Sequence, residues 1–321
     1  MIRERLPSTV GGYPTFMRSI QVGTQFTLEP NIPTWAMLRI RPAGVRPRSE
    51  RLDVRATDGR AVETMMLIDD VIAHQLVDRC LLPAGPVSVT YTAMLDVDST
   101  PDEVSVTARA PHLSELTPAD WLWLQPSRYC RPDEIGPEAW DLFGADIDVD
   151  TPATWAHVQA ICDHVNGSMA FEYGTSHPFT TATDAWNTRR GVCRDFNHIA
   201  VSFCRALNIP TRYVFGYLPD IDVELNHAAM DFCAWFEAFL DGRWWTFDAR
   251  VNERRIGRVV IARGRDAMDV PMISTLGPVA LTSFAVVAEE VPINSAQNLD
   301  LNKFDMSASG AMGSSHNPLL V

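Results

Sequence analysis

The spacing of apolar and polar positions changes character along the chain, and each change predicts a different kind of element. Ser19 to Glu29, Trp35 to Arg41, Arg51 to Arg55 and Val87 to Leu95 are β-branched or alternating runs separated by Pro, Gly and Asp, which predicts a small β-sandwich or barrel. From Thr117 through Trp140 the residues favour helix, and Pro126, Pro132 and Pro137 are expected to break it into pieces. Thr151-Pro152 suits a helix start, with Trp155, Val158, Cys162 and Val165 continuing on one face. After Gly191 a second stripe appears: Phe196, Ala200, Phe203, Cys204 and Leu207 recur at three- and four-residue steps, until Asn208 and Pro210 stop the helix. The aromatic-rich runs on either side of Asp241-Gly242 then predict a hairpin. A turn centred there pairs Cys233 with Arg250 and Trp235 with Asp248, and sets Cys233 and Asp248 on one face as diagonal neighbours.

These elements give an expected order. An extension (1–15) leads into a β-rich domain (16–110) and a helical connector (111–149). A core of helices followed by an antiparallel sheet (150–291) comes next, and the Ser-, Asn-, Gly- and Ala-rich tail (292–321) is expected to be disordered. With 321 residues, the length suits two domains, and 46% hydrophobic residues supply ample core. The net charge of -13 with no long basic run argues against nucleic acid and against anionic membrane surfaces. No apolar run approaches a membrane span and no basic-then-apolar leader opens the chain, so the expected compartment is the cytoplasm. Six cysteines without paired spacing fit a reducing environment better than a disulfide framework.

The candidate chemistry centres on Arg190-Gly191-Val192-Cys193-Arg194-Asp195-Phe196, which places a thiol just after a glycine in the first turn of the second helix. There the unpaired amides and the positive end of the helix dipole favour thiolate over thiol, and the expectation is a lowered pKa. The same amides could hold an oxyanion. The competing reading of such a cysteine is a small apolar filler, which suits Cys204 on the buried stripe. Arg194 and Asp195 either tune the thiol through charge or form an ion pair on the first turn.

At this point the chain resembles the bacterial transglutaminase-like family. The nucleophile block is Arg189-Arg190-Gly191-Val192-Cys193-Arg194-Asp195-Phe196, followed by Cys204-Arg205-Ala206-Leu207-Asn208-Ile209-Pro210-Thr211-Arg212-Tyr213-Val214 and Gly216-Tyr217. The acid block is Trp244-Trp245-Thr246-Phe247-Asp248-Ala249-Arg250, with Arg255-Ile256-Gly257-Arg258 and Arg263-Gly264-Arg265-Asp266-Ala267 after it. Pro126-Ser127-Arg128-Tyr129-Cys130 and the β-like first third look like the family's companion N-terminal region, so the resemblance runs from about Ser19 to Val287. It implies an α+β fold, a papain-like core preceded by a β-rich domain, and a Cys, His, Asp triad in chain order. Cys193 would be the nucleophile and Asp248 the orienting acid.

The family pattern expects histidine where this chain has Cys233, immediately before Ala234-Trp235-Phe236-Glu237. A thiol with an unperturbed pKa near 8.5 is a poor general base at neutral pH and a poorer acid for the leaving group. Three histidines compete for the missing role: His227 before the first hairpin strand, His198 on the nucleophile helix, and His177 in the loop before it. His198 follows Cys193 by five residues, about 140° around a helix, and is expected to point away. Two readings stay open: an altered cysteine enzyme acting on amide bonds of a peptide or protein through acyl-Cys193, or a pseudoenzyme that binds a peptide or partner in the same groove. A reversible Cys193–Cys233 disulfide is a third.

No cofactor is expected. The chain has no Cys-x-x-Cys pair and no His-Glu-x-x-His helix, and Asp146-Ile147-Asp148-Val149-Asp150 lacks the Gly and Glu of a calcium loop. Trp235, Phe236, Trp244, Trp245 and Phe247 are expected to pack a hairpin core rather than line a groove, and Trp186 is a candidate for shaping the cleft. Cys80, Cys130 and Cys162 suggest no chemistry.

Overall fold

The computed structural model describes residues 9–10, 13–14, 17–148, 150–224 and 230–292. His227 and the tail from 293 lie outside the described residues.

Strands build the first half. After a small ribbon of β1 (Thr9–Val10) and β2 (Tyr13–Pro14) come β3 (Met17–Pro30), β4 (Thr34–Leu38), β5 (Ser49–Ala56), β6 (Thr64–Asp69), β7 (Gln75–Leu82) and β8 (Val87–Asp98). In β3, Ile20, Val22, Phe26 and Leu28 are fully buried, the period-two face that the sequence predicts. β6 and β7 were not anticipated, for a physical reason. Asp78 sits at a buried position in the middle of β7, where it receives Arg41 Nε at 2.6 Å, so a polar residue interrupts the apolar pattern.

The helices follow: α1 (Pro118–Trp121), α2 (Pro132–Phe143), α3 (Trp155–Ser168), α4 (Ala182–Thr188) and α5 (Cys193–Ala206), with the two-residue strands β9 (Ala170–Phe171) and β10 (Arg190–Gly191) around α4. Pro126 and Pro132 do separate pieces, but Pro137 lies inside α2 without breaking it. Buried Ile135 and Ala139 hold the turn on either side against its one missing amide. α3 starts at Thr154 rather than Thr151, because Asp148 draws the amides of Asp150 and Thr151 into a turn of their own. No helix among the described residues is long and apolar enough to cross a membrane.

The last part is strand again: β11 (Thr211–Tyr217), β12 (Cys233–Leu240), β13 (Arg243–Phe247), β14 (Val259–Gly264), β15 (Ile273–Thr275) and β16 (Val279–Val291). The turn centre is the expected one, with Phe236 opposite Phe247 and Leu240 opposite Arg243, but β13 ends at Phe247, so the expected pairs of Cys233 with Arg250 and Trp235 with Asp248 are not part of the ladder. Asp241 and Gly242 both have positive φ (47° and 75°), as a two-residue turn matched to strand twist requires.

Three four-stranded antiparallel sheets result among the described residues, β13-β12-β11-β14, β15-β4-β7-β6 and β16-β3-β8-β5. β16 pairs with β3 from Val291↔Ser19 to Val279↔Pro30, so the chain leaves the β region at Asp98 and rejoins it at Ile273. The latter two sheets enclose one apolar cluster, which continues into Tyr213, Phe215 and Tyr217 of β11 and Ile261 of β14. A second cluster joins α2, α3, α4 and α5 to Phe236, Ala238 and Leu240 of β12. The fold is α+β, a papain-like core of helices on an antiparallel sheet, with a β-rich region formed by the chain before it and completed by β15 and β16 after it. Gly216 is required where β11 shifts register, since a Cβ there would meet Val259 O at 2.2 Å.

Candidate active site

Cys193 is the first residue of α5. Val192 before it is extended and brings no capping oxygen, so Asp195 supplies one by taking the Val192 amide on Oδ2 at 2.9 Å. Its Oδ1 accepts from Ser176 Oγ (3.0 Å) and pairs with Arg194 (3.3 Å), and both charged residues are buried. Arg194 also donates to Ser176 Oγ and to the His177 carbonyl, and lies over the Tyr129 ring. Of the two readings of Arg194 and Asp195, the structure shows the ion pair, and it pins the 176–177 loop to the helix. Gly191 is needed for this closeness, because a Cβ there would lie 2.7 Å from that of Asp195.

Asn197, one turn along α5, ties the site together. Its Nδ2 donates to the carbonyls of Cys193 and Ala234, each at 2.9 Å, and its Oδ1 accepts from the Ala249 amide at 3.1 Å. One fully buried side chain thus fixes the nucleophile helix, the start of β12 and the loop after Asp248. The sequence signal was a polar residue of low helix propensity in an otherwise buried helix.

Asp248 is buried and already engaged. Oδ1 accepts the amides of Arg250 and Val251 at 3.0 Å, and Oδ2 accepts from Arg258, which also pairs with Asp102. A pocket of about 240 Å³ opens beside this ion pair, but neither Cys193 nor Cys233 lines it.

The thiol expectation is corrected. Cys193 keeps some accessible surface, yet burial pushes its thiol up to about 12, and the charges of Asp231 and Asp248 push the same way. A hydrogen bond from the Ala234 amide and the charge of Arg250 oppose this without winning. The first-turn position is as expected, but enclosure and two carboxylates outweigh the helix end. Burial also raises the Cys233 thiol well above its ordinary value, so both sulfurs are neutral thiols at pH 7.

Asp231 is a group that sequence reasoning missed. It lies two residues before β12, accepts the Phe232 amide at 2.7 Å, and is pushed up to about 6 by burial. Its charge reaches Cys193, Cys233 and Tyr173.

The described histidines do not supply the ring. His198 is fully buried, stacked near Tyr129 and Tyr213, and takes the Ala267 amide on Nε2 at 3.1 Å. Burial and the charges of Arg194 and Arg205 hold it neutral, pointing away from Cys193 as expected. His177 is exposed and accepts the Phe179 amide on Nδ1. Trp186 is buried, donates to Glu138, lies under Arg189 and meets Phe203 edge to face, so it serves the helical core rather than the cleft. Trp235, Phe236 and Phe247 are likewise buried. Cys80, Cys130, Cys162 and Cys204 are buried free thiols. Among the described residues no group of three or more His, Cys, Asp or Glu is placed to hold a metal ion.

A cysteine opening a buried helix, with an antiparallel hairpin behind it and an acid at the hairpin's end, defines the papain-like class of cores. Residues 143–249 match the model of the transglutaminase-like superfamily, so the chain carries a transglutaminase-like domain. It is also similar to the solved structure of a "putative cysteine protease" from Cytophaga hutchinsonii, with TM-score 0.73 and 27% identity over 87% of this chain and 93% of that one. An uncharacterized protein of Mycobacterium leprae is 33% identical over 123 residues. That match spans 36% of this chain and 43%, less than half, of the relative.

Proposed function

We propose that this protein is a transglutaminase-like cysteine protein acting on amide bonds of a peptide or protein, with Cys193 as nucleophile. The observation that carries the reading is the placement of Cys193 at the start of α5, joined through Asn197 to β12 and to the acid loop. Its likeness to the Cytophaga hutchinsonii protein supports it.

In this reading the Cys193 sulfur attacks the amide carbonyl, the carbon–nitrogen bond breaks, and the amine leaves with the thiol proton. Water or an amine then takes the acyl group from the thioester and restores the thiol, which gives hydrolysis or transfer. This reading assigns the developing oxyanion to the first-turn amides of α5, while Asp248 with Arg258 fixes the loop after β13. Because Cys233 stands where the triad imidazole belongs, the thiol proton passes slowly, through water or Asp231. Unpaired cysteine spacing supports the cytoplasm as the compartment.

A second reading, peptide binding without turnover, is favoured by one observation, the Cys193 thiol held up near 12. Intact-mass measurement of acyl adducts from p-nitrophenyl acetate separates the two. Acyl-enzyme chemistry predicts one adduct in the native chain, none in Cys193→Ala, and acylation faster by about 10²- to 10⁴-fold in Cys233→His, the span that general-base catalysis contributes. An adduct that persists in Cys193→Ala sinks the nucleophile assignment, and no gain in Cys233→His leaves the binding reading.

A further inference from the structure

The acid loop ends in a cation that no described group pairs. Arg250 is fixed through its main chain, since its amide donates to Asp248 and its carbonyl accepts from Asn166 Nδ2 at 2.8 Å. Its guanidinium lies over the Phe171 ring, 4.6 Å from the centroid, and among the described residues it has neither a hydrogen bond nor a carboxylate within ion-pairing distance. The neighbouring arginines differ: Arg258 holds Asp248 and Asp102, Arg255 holds Asp220, and Arg194 holds Asp195.

Backbone pairing puts this cation beside the thiol. β9 sets Phe171 opposite Gly191, two residues before Cys193, and Ala249 donates to the same Asn197 side chain that holds the Cys193 carbonyl. The charge of Arg250 is felt at Cys193, Cys233 and Tyr173, favouring the ionised form of each. Tyr173 meets Phe171 edge to face at 5.0 Å and is 59% exposed, so the ring under the guanidinium adjoins an open aromatic edge.

A guanidinium offers five N–H donors in a fork that matches a carboxylate. Partial burial against a ring leaves it less water to satisfy them, which strengthens an incoming charge-assisted bond. The acids nearby do not fill the place: Asp248 is taken up by Arg258 and two amides, and Asp231 makes no ion pair with Arg250 within 4 Å.

We infer that Arg250, backed by Phe171 and Tyr173, forms a carboxylate-binding subsite beside Cys193, so that the site takes an acidic peptide carrying a carboxylate close to the amide that meets the thiol. This rests on the proposed reading of Cys193 as the group that meets the substrate.

Alkylation of Cys193 in the full chain by iodoacetate and by iodoacetamide, read by peptide mass spectrometry, tests it. Both reagents form the same sulfur–carbon bond, expel iodide and release the thiol proton to solvent, and only iodoacetate carries a carboxylate. The ratio of the two rates therefore cancels any effect of Arg250 on the thiolate fraction. Arg250→Gln is expected to lower the iodoacetate-to-iodoacetamide ratio about fivefold to tenfold, the effect of one nearby charge in a partly solvated site. Arg250→Lys should keep most of the ratio, and Arg190→Gln, which removes an exposed cation paired with Glu172, should leave it unchanged. Equal loss of both rates in Arg250→Gln, or an unchanged ratio, overturns the subsite. Should Cys193 react with neither reagent, the nucleophile reading fails by itself. The subsite then stands or falls on calorimetry with N-acetylglutamate and N-acetylglutamine: a preference for the glutamate that Arg250→Gln abolishes supports it, and equal binding of the two overturns it.

Discussion

Replacing Asp231 with Asn measures how the cleft treats charge. The folded chain holds this carboxyl up at about 6, from an ordinary 3.8, because burial disfavours the ion and only the Phe232 amide compensates. The folded state therefore binds the proton more tightly than the unfolded state. Above pH 6 the carboxylate is ionised in both states and its cost to folding is fully present. The cost fades as pH falls from about 6 toward 3.8, and it vanishes below that, where both states are protonated. Two pKa units at about 1.4 kcal/mol each set an upper bound near 3 kcal/mol, and water reaching the half-buried side chain lowers this to about 2 kcal/mol.

Asn has nearly the same shape, keeps an oxygen for the Phe232 amide and carries no charge. Asp231→Asn should therefore stabilise the protein by about 2 kcal/mol at pH 8, and by almost nothing at pH 3.5. Urea denaturation of both proteins at several pH values between these limits gives the difference directly. A variant less stable than the parent at pH 8, or an advantage that does not shrink below pH 6, would refute the buried-carboxylate account. Because Asp231 is also the carboxylate that most raises the Cys193 thiol, the same variant should alkylate faster at Cys193.

Asn197→Leu removes three buried hydrogen bonds and strands the Ala234 carbonyl and the Ala249 amide, so a loss of about 2–4 kcal/mol is expected; a melting temperature equal to the parent's would show that the three-way tie carries no stability. Arg258→Met leaves the buried Asp248 carboxylate without its cation and should cost about 3–5 kcal/mol at pH 7. Urea denaturation at pH 7 measures that loss, and a variant as stable as the parent would contradict it.

How much of this was legible in the sequence depended on how local the cause was. The α5 stripe and the Asp241-Gly242 turn act within a few residues, and they placed Cys193 at a helix start and aligned Phe236 with Phe247. β7 was hidden by Asp78, whose partner Arg41 comes from a distant part of the chain. The pairing of β16 with β3 spans nearly the whole sequence, and the period of a strand does not name its partner. Pro137 reads as a breaker until packing on both sides outweighs one lost amide. At the site, residue types could be read, but neither the triple bonding of Asn197 nor the pairing of Asp248 with Arg258 could. The direction of the Cys193 shift was misjudged because a helix terminus is visible in sequence, whereas desolvation and the approach of Asp231 are not.

One substitution links the missing base to the raised thiol. Around Cys193 the described charges are two carboxylates, Asp231 and Asp248, and one cation, Arg250, with the rest of the Asp248 balance supplied from Arg258. An imidazole at position 233 would bring a proton acceptor with a pKa near 6.5 and, once protonated, a second cation beside the sulfur. That cation would favour the thiolate and the ionised Asp231 together. With a thiol at 233, burial raises both Cys193 and Asp231, and at Cys193 the charges of Asp231 and Asp248 add to it against Arg250. Because an imidazolium at 233 would oppose both shifts, Cys233→His tests the electrostatic account as well as turnover.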